Sequence, residues 1–319
     1  MIVGSARYGA PIKPDVIFGT ILNELEFPPQ QVETRALPRS ASRLGRAMFT
    51  TLLEMTINQP WLKERQPSLI DLIDECEEDK QQQLVFELLE RFTFLDAPGF
   101  QQAIQGIADY IQVQLGLGPD NAAISASDNS KYADSSQFVV YSLKAAAKWN
   151  APNWSTNLFV SNLTHLVGSA EKGNLVLVDE FIGTGETAEK KVMWLRAELA
   201  KSGATPKIYF GVVAGMQAGL ERLKPMVDGV FAAHVLTRGI SDFYPVGEAE
   251  QRLDAMLALE RQLGPETRRG TLKKHSLGYK KSETLYSRSN GNTPNNVFPI
   301  FWWDVRSDGS DRRSLLNCI

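Results

Sequence analysis

The sequence predicts an α/β protein, a doubly wound parallel sheet preceded by a helical region, and three observations carry that expectation. Residues from about Ser40 to Leu115 repeat apolar side chains at three- and four-residue spacing. Beyond about residue 118, short aliphatic runs alternate with amphipathic segments, the order that builds parallel strands joined by right-handed crossovers. One of those runs, LVLV at 175–178, is continuously aliphatic, as a strand buried on both faces must be. The expected organisation is a mainly helical region over 1–117 and an α/β domain with a C-terminal extension over 118–319.

Within the helical region the segments are SRLGRAMFTTLLEMTI, QPSLIDLIDE, DKQQQLVFELLERFTFL and GFQQAIQGIADYIQVQL. In the third, Asp79 is expected to cap the N-terminus, Leu84, Phe86, Leu88, Leu89 and Phe92 to supply the apolar side, and Pro98-Gly99 to punctuate the end. After the LGLGPDN turn at 115–121, AAISA (122–126) is a strand. DSSQFVVYSLKAAAKW (134–149) follows as a helix capped by Asp134 or Ser135, and LFVS (158–161) as a short strand. NLVLVD (174–179) is the strongest buried strand, and TAEKKVMWLRAELAKSG a helix ended by Gly203. Then come KIYFGVVAG, MQAGLERLKP, VDGVFAAHVL and a last long helix, GEAEQRLDAMLALERQLG. The segment TLYSRSNGNTPNNVFPIFWWD holds tight turns around two short apolar runs.

Composition narrows the class of protein. Hydrophobic residues make up 43 % of the 319 and charged residues 22 %, as in an ordinary folded protein and unlike a disordered chain. The two cysteines, Cys76 and Cys318, belong to no metal-ligand spacing, and His165, His234 and His275 show none either. No metal-ligating residue is assigned. No run approaches the length of a membrane span and the N-terminus lacks a signal-peptide pattern, so a cytoplasmic protein without membrane contact is expected. A net charge of -3 argues against an extended nucleic-acid surface, although Arg268, Arg269, Lys273, Lys274, His275, Lys280 and Lys281 crowd together. That basic run fits either a solvated loop or a contact with an anionic partner.

The chemistry concentrates in LVLVDEFIGTGET, residues 175–187. In an open parallel sheet, ligands bind at the C-terminal ends of strands, which is where Asp179 and Glu180 fall. Gly183, Thr184, Gly185, Glu186 and Thr187 follow, a turn able to curl backbone N–H groups around an anion just before a helix N-terminus. Two carboxylates next to a phosphate repel it unless they face another part of the ligand, such as ribose hydroxyls or a Mg²⁺-bound group. A sugar phosphate reconciles the two. A Walker A loop is absent, and no G-x-G-x-x-G begins there. For a diphosphate, the polar turn SDNSKYADSS (127–136) with Lys131 is the candidate cradle.

LVLVDEFIGTGET resembles the phosphoribosyl-diphosphate (PRPP) signature of type I phosphoribosyltransferases: four apolar residues, two acids, two apolar residues and a T-G-x-T loop. The resemblance implies that Asp179 and Glu180 bind the ribose 2′- and 3′-hydroxyls and act in catalysis. It implies that Thr184 to Thr187 hold the 5′-phosphate and that Mg²⁺ accompanies PRPP. The sequence departs from the commonest form at Glu180, where Asp is usual, and at Gly183, where a small hydroxylated residue is frequent. More loosely, the WLKERQ…FELLERFTFL stretch, VDEFIGTGET and GYKKSETLYSRSNGNTPNNVFPIFWW resemble phosphoribosyltransferase-like proteins of bacterial conflict systems, some encoded beside retron reverse transcriptases. Membership implies an anti-phage effector or toxin. Its partners would then be PRPP or a nucleotide, and a reverse transcriptase, the non-coding RNA or DNA of a retron, or another defence protein. The competing expectation is a catalytically silent nucleotide-binding sensor or partner-binding module. Asn292 to Trp303 is either a core strand after a turn or a lid that sets Asn and aromatic groups over a base.

Overall fold

A five-stranded, wholly parallel sheet forms the centre of the computed structural model, which describes residues 45–129, 134–145 and 158–318. The sheet and the described helices packed on it lie in one compact unit, Phe49–Ile319. Before the sheet come α1 (Arg46–Asn58), a 3₁₀ turn at Pro60–Arg65, α2 (Gln66–Asp74), α3 (Asp79–Glu90), β1 (Thr93–Leu95) and α4 (Ala97–Asp109), which ends in a π turn at Tyr110–Gln114. The sheet itself is built from β2 (Ala122–Ala126), β3 (Phe159–Val160), β4 (Asn174–Ile182), β5 (Lys207–Met216) and β6 (Gly229–Leu236) in the spatial order β3-β2-β4-β5-β6. Between them run α5 (Ser135–Lys144), α6 (Leu163–Val167), α7 (Glu186–Lys201) and α8 (Gln217–Leu223). After β6 come α9 (Val246–Glu260), the short pair β7 (Glu266–Thr267) and β8 (Gly270–Thr271), α10 (Leu272–His275) and β9 (Tyr286–Arg288).

Alternation along the strands explains the two layers of helices. Val176, Val178 and Val213 face α4 and α5 through Ile104, Ile107, Val139 and Leu143. Leu175, Leu177 and Phe210 face α7 and α8 through Val192, Leu195, Leu199 and Leu223. The doubly wound arrangement expected from the sequence is the one observed. With β3 and β4 on the two sides of β2, strand order reverses between β2 and β4, and that crevice is where such sheets bind ligands.

Several local expectations change. Glu78, not Asp79, caps α3, because Gln81 answers it in a capping box: Gln81 Oε1 accepts from the Glu78 amide at 3.1 Å. Pro98 and Gly99 begin a helix rather than end one; they occupy the first turn of α4, where the Asp96 carboxylate accepts from the Gly99 amide at 2.8 Å. For α5 the cap is Asp134, which accepts from the Ser136 amide at 2.6 Å. Strand β4 continues three residues past Asp179, because β5 keeps pairing with it as far as Ile182 opposite Gly215. On the other side β2 stops at Ala126 opposite Val178, so the two acids project beyond its end.

The C-terminal extension packs back on the helical segments. β9 pairs in parallel with β1, Thr93 opposite Tyr286. Val297, Phe298, Phe301, Trp302 and Trp303 are buried, so the aromatic run is core, but Pro299–Phe301 forms a 3₁₀ turn in place of the strand that one of the two expected readings has. Among the described residues, no helix is long and apolar enough to cross a membrane.

Candidate functional site

Adjacent residues on a strand point to opposite faces, and this separates the two acids. Asp179 turns toward α7. Its Oδ2 accepts from the buried Ser127 hydroxyl, its Oδ1 accepts from the Glu180 amide at 2.8 Å, and Lys191 Nζ lies 3.6 Å away. The same ammonium is 3.6 Å from Asp128 and donates to Ser127 Oγ at 3.2 Å, so Lys191 ties the end of β2 to β4. Glu180 turns to the other face and meets Arg288 of β9 at 2.8 Å, both side chains being buried. The guanidinium lies over the rings of Phe100 and Phe138, 4.9 and 4.8 Å from their centroids.

Burial raises both carboxyls above their ordinary range. For Asp179 the loss of hydration outweighs the pull of Lys191 and the Ser127 hydrogen bond; for Glu180 it outweighs the bond to Arg288. Beside them Tyr286 stacks on Phe181 with centroids 5.3 Å apart, and its buried hydroxyl has no hydrogen-bond partner among the described residues. Burial and the Glu180 charge push that phenol up.

The loop after β4 is shaped by close approaches. Gly185 takes φ +79° and precedes the first residue of α7, with no side chain capping that helix. A Cβ on Gly185 would stand 2.7 Å from the Gly219 carbonyl oxygen, and one on Gly183 would stand 2.4 Å from Asn296 Oδ1. Glycine at 183, where a hydroxylated residue is frequent in the resembling signature, is thus accounted for by the Asn296 amide packed against it. No side chain caps the first amides of this 16-residue helix, and free amides at a helix start favour an anion.

Two compartments adjoin here. One, of about 430 Å³, is lined by Asp179, Gly183, Thr184, Gly185, Thr187 and Lys274 among others. The second, of about 730 Å³, is lined by Glu180, Arg269, His275, Asn292, Thr293 and Trp302 among others. They share a wall of Asp134, Ser135, Phe181, Asn295 and Asn296. The structure therefore brings Asp179, Gly183, Thr184, Gly185 and Thr187 together, and sets Glu180 in the neighbouring compartment. Glu186 lines neither; Lys280 and Arg222 hold its carboxylate and depress its pKa. Lys131 lies outside the described residues.

Lys191 and Arg288 were not singled out in the sequence. Thr187 and Lys191 share a helix face at i, i+4, a signal that places the lysine one turn from the loop. Arg288 has no such local signal, being 108 residues from Glu180. Among the described residues, no three His, Cys, Asp or Glu side chains converge as a metal site.

A glycine-rich loop that enters a helix at the switch point of a 3-2-4-5-6 parallel sheet, with acids beside it, is phosphoribosyltransferase-like in class. The chain belongs to the PRTase-CE family, which matches residues 71–314. No curated protein gives a significant match.

Proposed function

We propose that this phosphoribosyltransferase-like protein binds PRPP or a related nucleotide, with the 5-phosphate at Thr184–Thr187 and the ribose hydroxyls toward Asp179 and Glu180. The observation that carries the reading is the Gly185 turn, whose left-handed φ leads directly into the uncapped N-terminus of α7 inside a pocket that Asp179 also lines. Mg²⁺ takes one or two carboxylates along with phosphate oxygens, and Asp134 and Asp179, lining one compartment, fit that donor set. When bound, the ion would neutralise charge on a departing diphosphate. The chain's own contribution would be positioning: Lys191 fixes Asp179, Arg288 fixes Glu180, and the α7 amides orient the phosphate. The resemblance to proteins of bacterial conflict systems supports a cytoplasmic anti-phage effector, a toxin restrained by a retron reverse transcriptase and its nucleic acid or by another defence protein.

Isothermal titration with PRPP and Mg²⁺ tests the reading. Wild type should bind, and Asp179→Asn combined with Glu180→Gln should weaken binding at least tenfold, the loss of more than one charge-assisted hydrogen bond. Silence from wild type, or unchanged affinity in the double variant, would discard it. A second reading, binding without transfer, is favoured by the cations already paired with both acids. Binding with no diphosphate release across candidate acceptors would select it.

A further inference from the structure

Glu186 is the first residue of α7, so its carboxylate belongs beside the amides that would receive a phosphate, where a loose negative charge repels the ligand. The structure draws it away. Arg222 of α8 lies 3.3 Å from Glu186 through Nη1 but also serves Glu189 at 2.5 Å through Nη2, and the second cation on Glu186 is Lys280. Lys280 arrives from an unusual segment: Leu277, Lys280, Lys281 and Glu283 all have φ between 49° and 58°, and Gly278 has φ +79°. L-residues keep that conformation only where their surroundings impose it.

The surroundings do impose it. Buried Glu260 accepts from the Leu277 amide at 2.9 Å. Buried Glu283 accepts from the amides of Ile240 at 3.0 Å and Ser241 at 2.7 Å, and the Ser282 hydroxyl donates to the Asn296 carbonyl at 2.9 Å. An exposed ion pair such as Lys280–Glu186 adds little to stability, so two buried carboxylates and a run of left-handed residues are a large investment for that bond alone.

We propose that Lys280 is a positioning residue: Leu277, Lys280, Lys281 and Glu283 are held in left-handed backbone to seat its ammonium on Glu186, which turns that carboxylate out of the anion site and leaves the first amides of α7 open to the 5-phosphate. The inference rests on the ribose-phosphate reading of the same loop. It assigns Lys280 no contact with the ligand; its effect passes through Glu186.

The test is a double-mutant cycle read by titration with ribose 5-phosphate, with thermal unfolding of each variant alongside. Lys280→Ala should weaken binding about three- to tenfold, the scale of one unit charge released near the ligand in a largely solvated setting, with little change in melting temperature. Lys280→Arg should restore it. In a Glu186→Gln background, which keeps the backbone amide at 186 and removes only the side-chain charge, Lys280→Ala should cost nothing further. An unchanged affinity in Lys280→Ala, or an equal loss in both backgrounds, overturns the inference while leaving the site intact. If wild type binds neither ribose 5-phosphate nor PRPP, the ribose-phosphate reading itself falls.

Discussion

At the scale of single residues, the loop depends on an absent side chain. Gly185 combines a left-handed φ of +79° with a backbone neighbour 2.7 Å from where its Cβ would sit, whereas Gly173 has a similar φ of +78° and open space around it. Gly173→Ala should therefore cost only the conformational term, about 1 kcal/mol. Gly185→Ala should cost about 2 to 3 kcal/mol and displace the loop from Gly219, with loss of phosphate binding. Urea unfolding of both variants measures the difference; equal losses would show that the Gly219 approach contributes nothing. The glycines were legible in the sequence because a turn chemistry requires them locally. What holds the acids was not: Lys191 reads as one more charge in EKKVMW, and Arg288 as part of a turn-rich stretch, until packing brings them to Asp179 and Glu180.

At the scale of elements, strands and helices of the sheet were readable because each buries a periodic apolar face. β2 matches its expected bounds, and β4 differs only where pairing with β5 carries it past the acids. Helix ends were less legible: Asp79 has the side chain preferred at a cap, but the bond from the Glu78 amide to Gln81 starts the helix one residue earlier, at a residue type that rarely caps. The left-handed residues between 277 and 283 left no trace in the sequence, because their conformation is set by long-range bonds, those of Glu283 to Ile240 and Ser241 and that of Glu260 on α9 to Leu277. Glu260 makes the segment's stability depend on pH. Burial pushes its carboxyl from 4.5 up to about 7, against the opposing hydrogen bonds from Ser276 and Leu277. The folded state thus retains a proton that the unfolded state gives up. Stability is complete below about 4.5, declines as pH rises toward about 7, and is level above; the full span is about 3 kcal/mol. Glu260→Gln keeps an acceptor without the charge, so it should match wild type at pH 5 and exceed it at pH 8. Urea midpoints at the two pH values decide this, and parallel wild-type and variant curves would refute the role of Glu260.

At the scale of the whole molecule, the chain closes on itself, and periodicity could not announce that closure. The helical segments and the C-terminal extension meet through β1 and β9, through Arg65 donating to the Leu315 carbonyl at 3.1 Å, and through Arg91 donating to the Gly239 carbonyl at 2.9 Å. The most connected of these ties is Arg312, whose side chain is 1 % exposed. It reaches Glu75, just past α2, at 2.7 Å and donates to the carbonyls of Trp303 and Ile300, each at 2.8 Å. A guanidinium can serve a carboxylate and two carbonyls at once because its donors are fixed in a planar fork; an ammonium cannot match those directions. Arg312→Met should then leave both carbonyls without their donor and Glu75 with Arg306, 3.1 Å away, as its remaining cation, a loss of about 2 to 4 kcal/mol, and Arg312→Lys should recover less than half of it. Because the bond joins distant parts of the sequence, amide exchange should accelerate together in residues 66–74 and 299–316, with β4 and β5 affected far less. Acceleration confined to the C-terminal stretch would mean that the two parts are held independently, and that Arg312 is a local brace rather than the clasp between them.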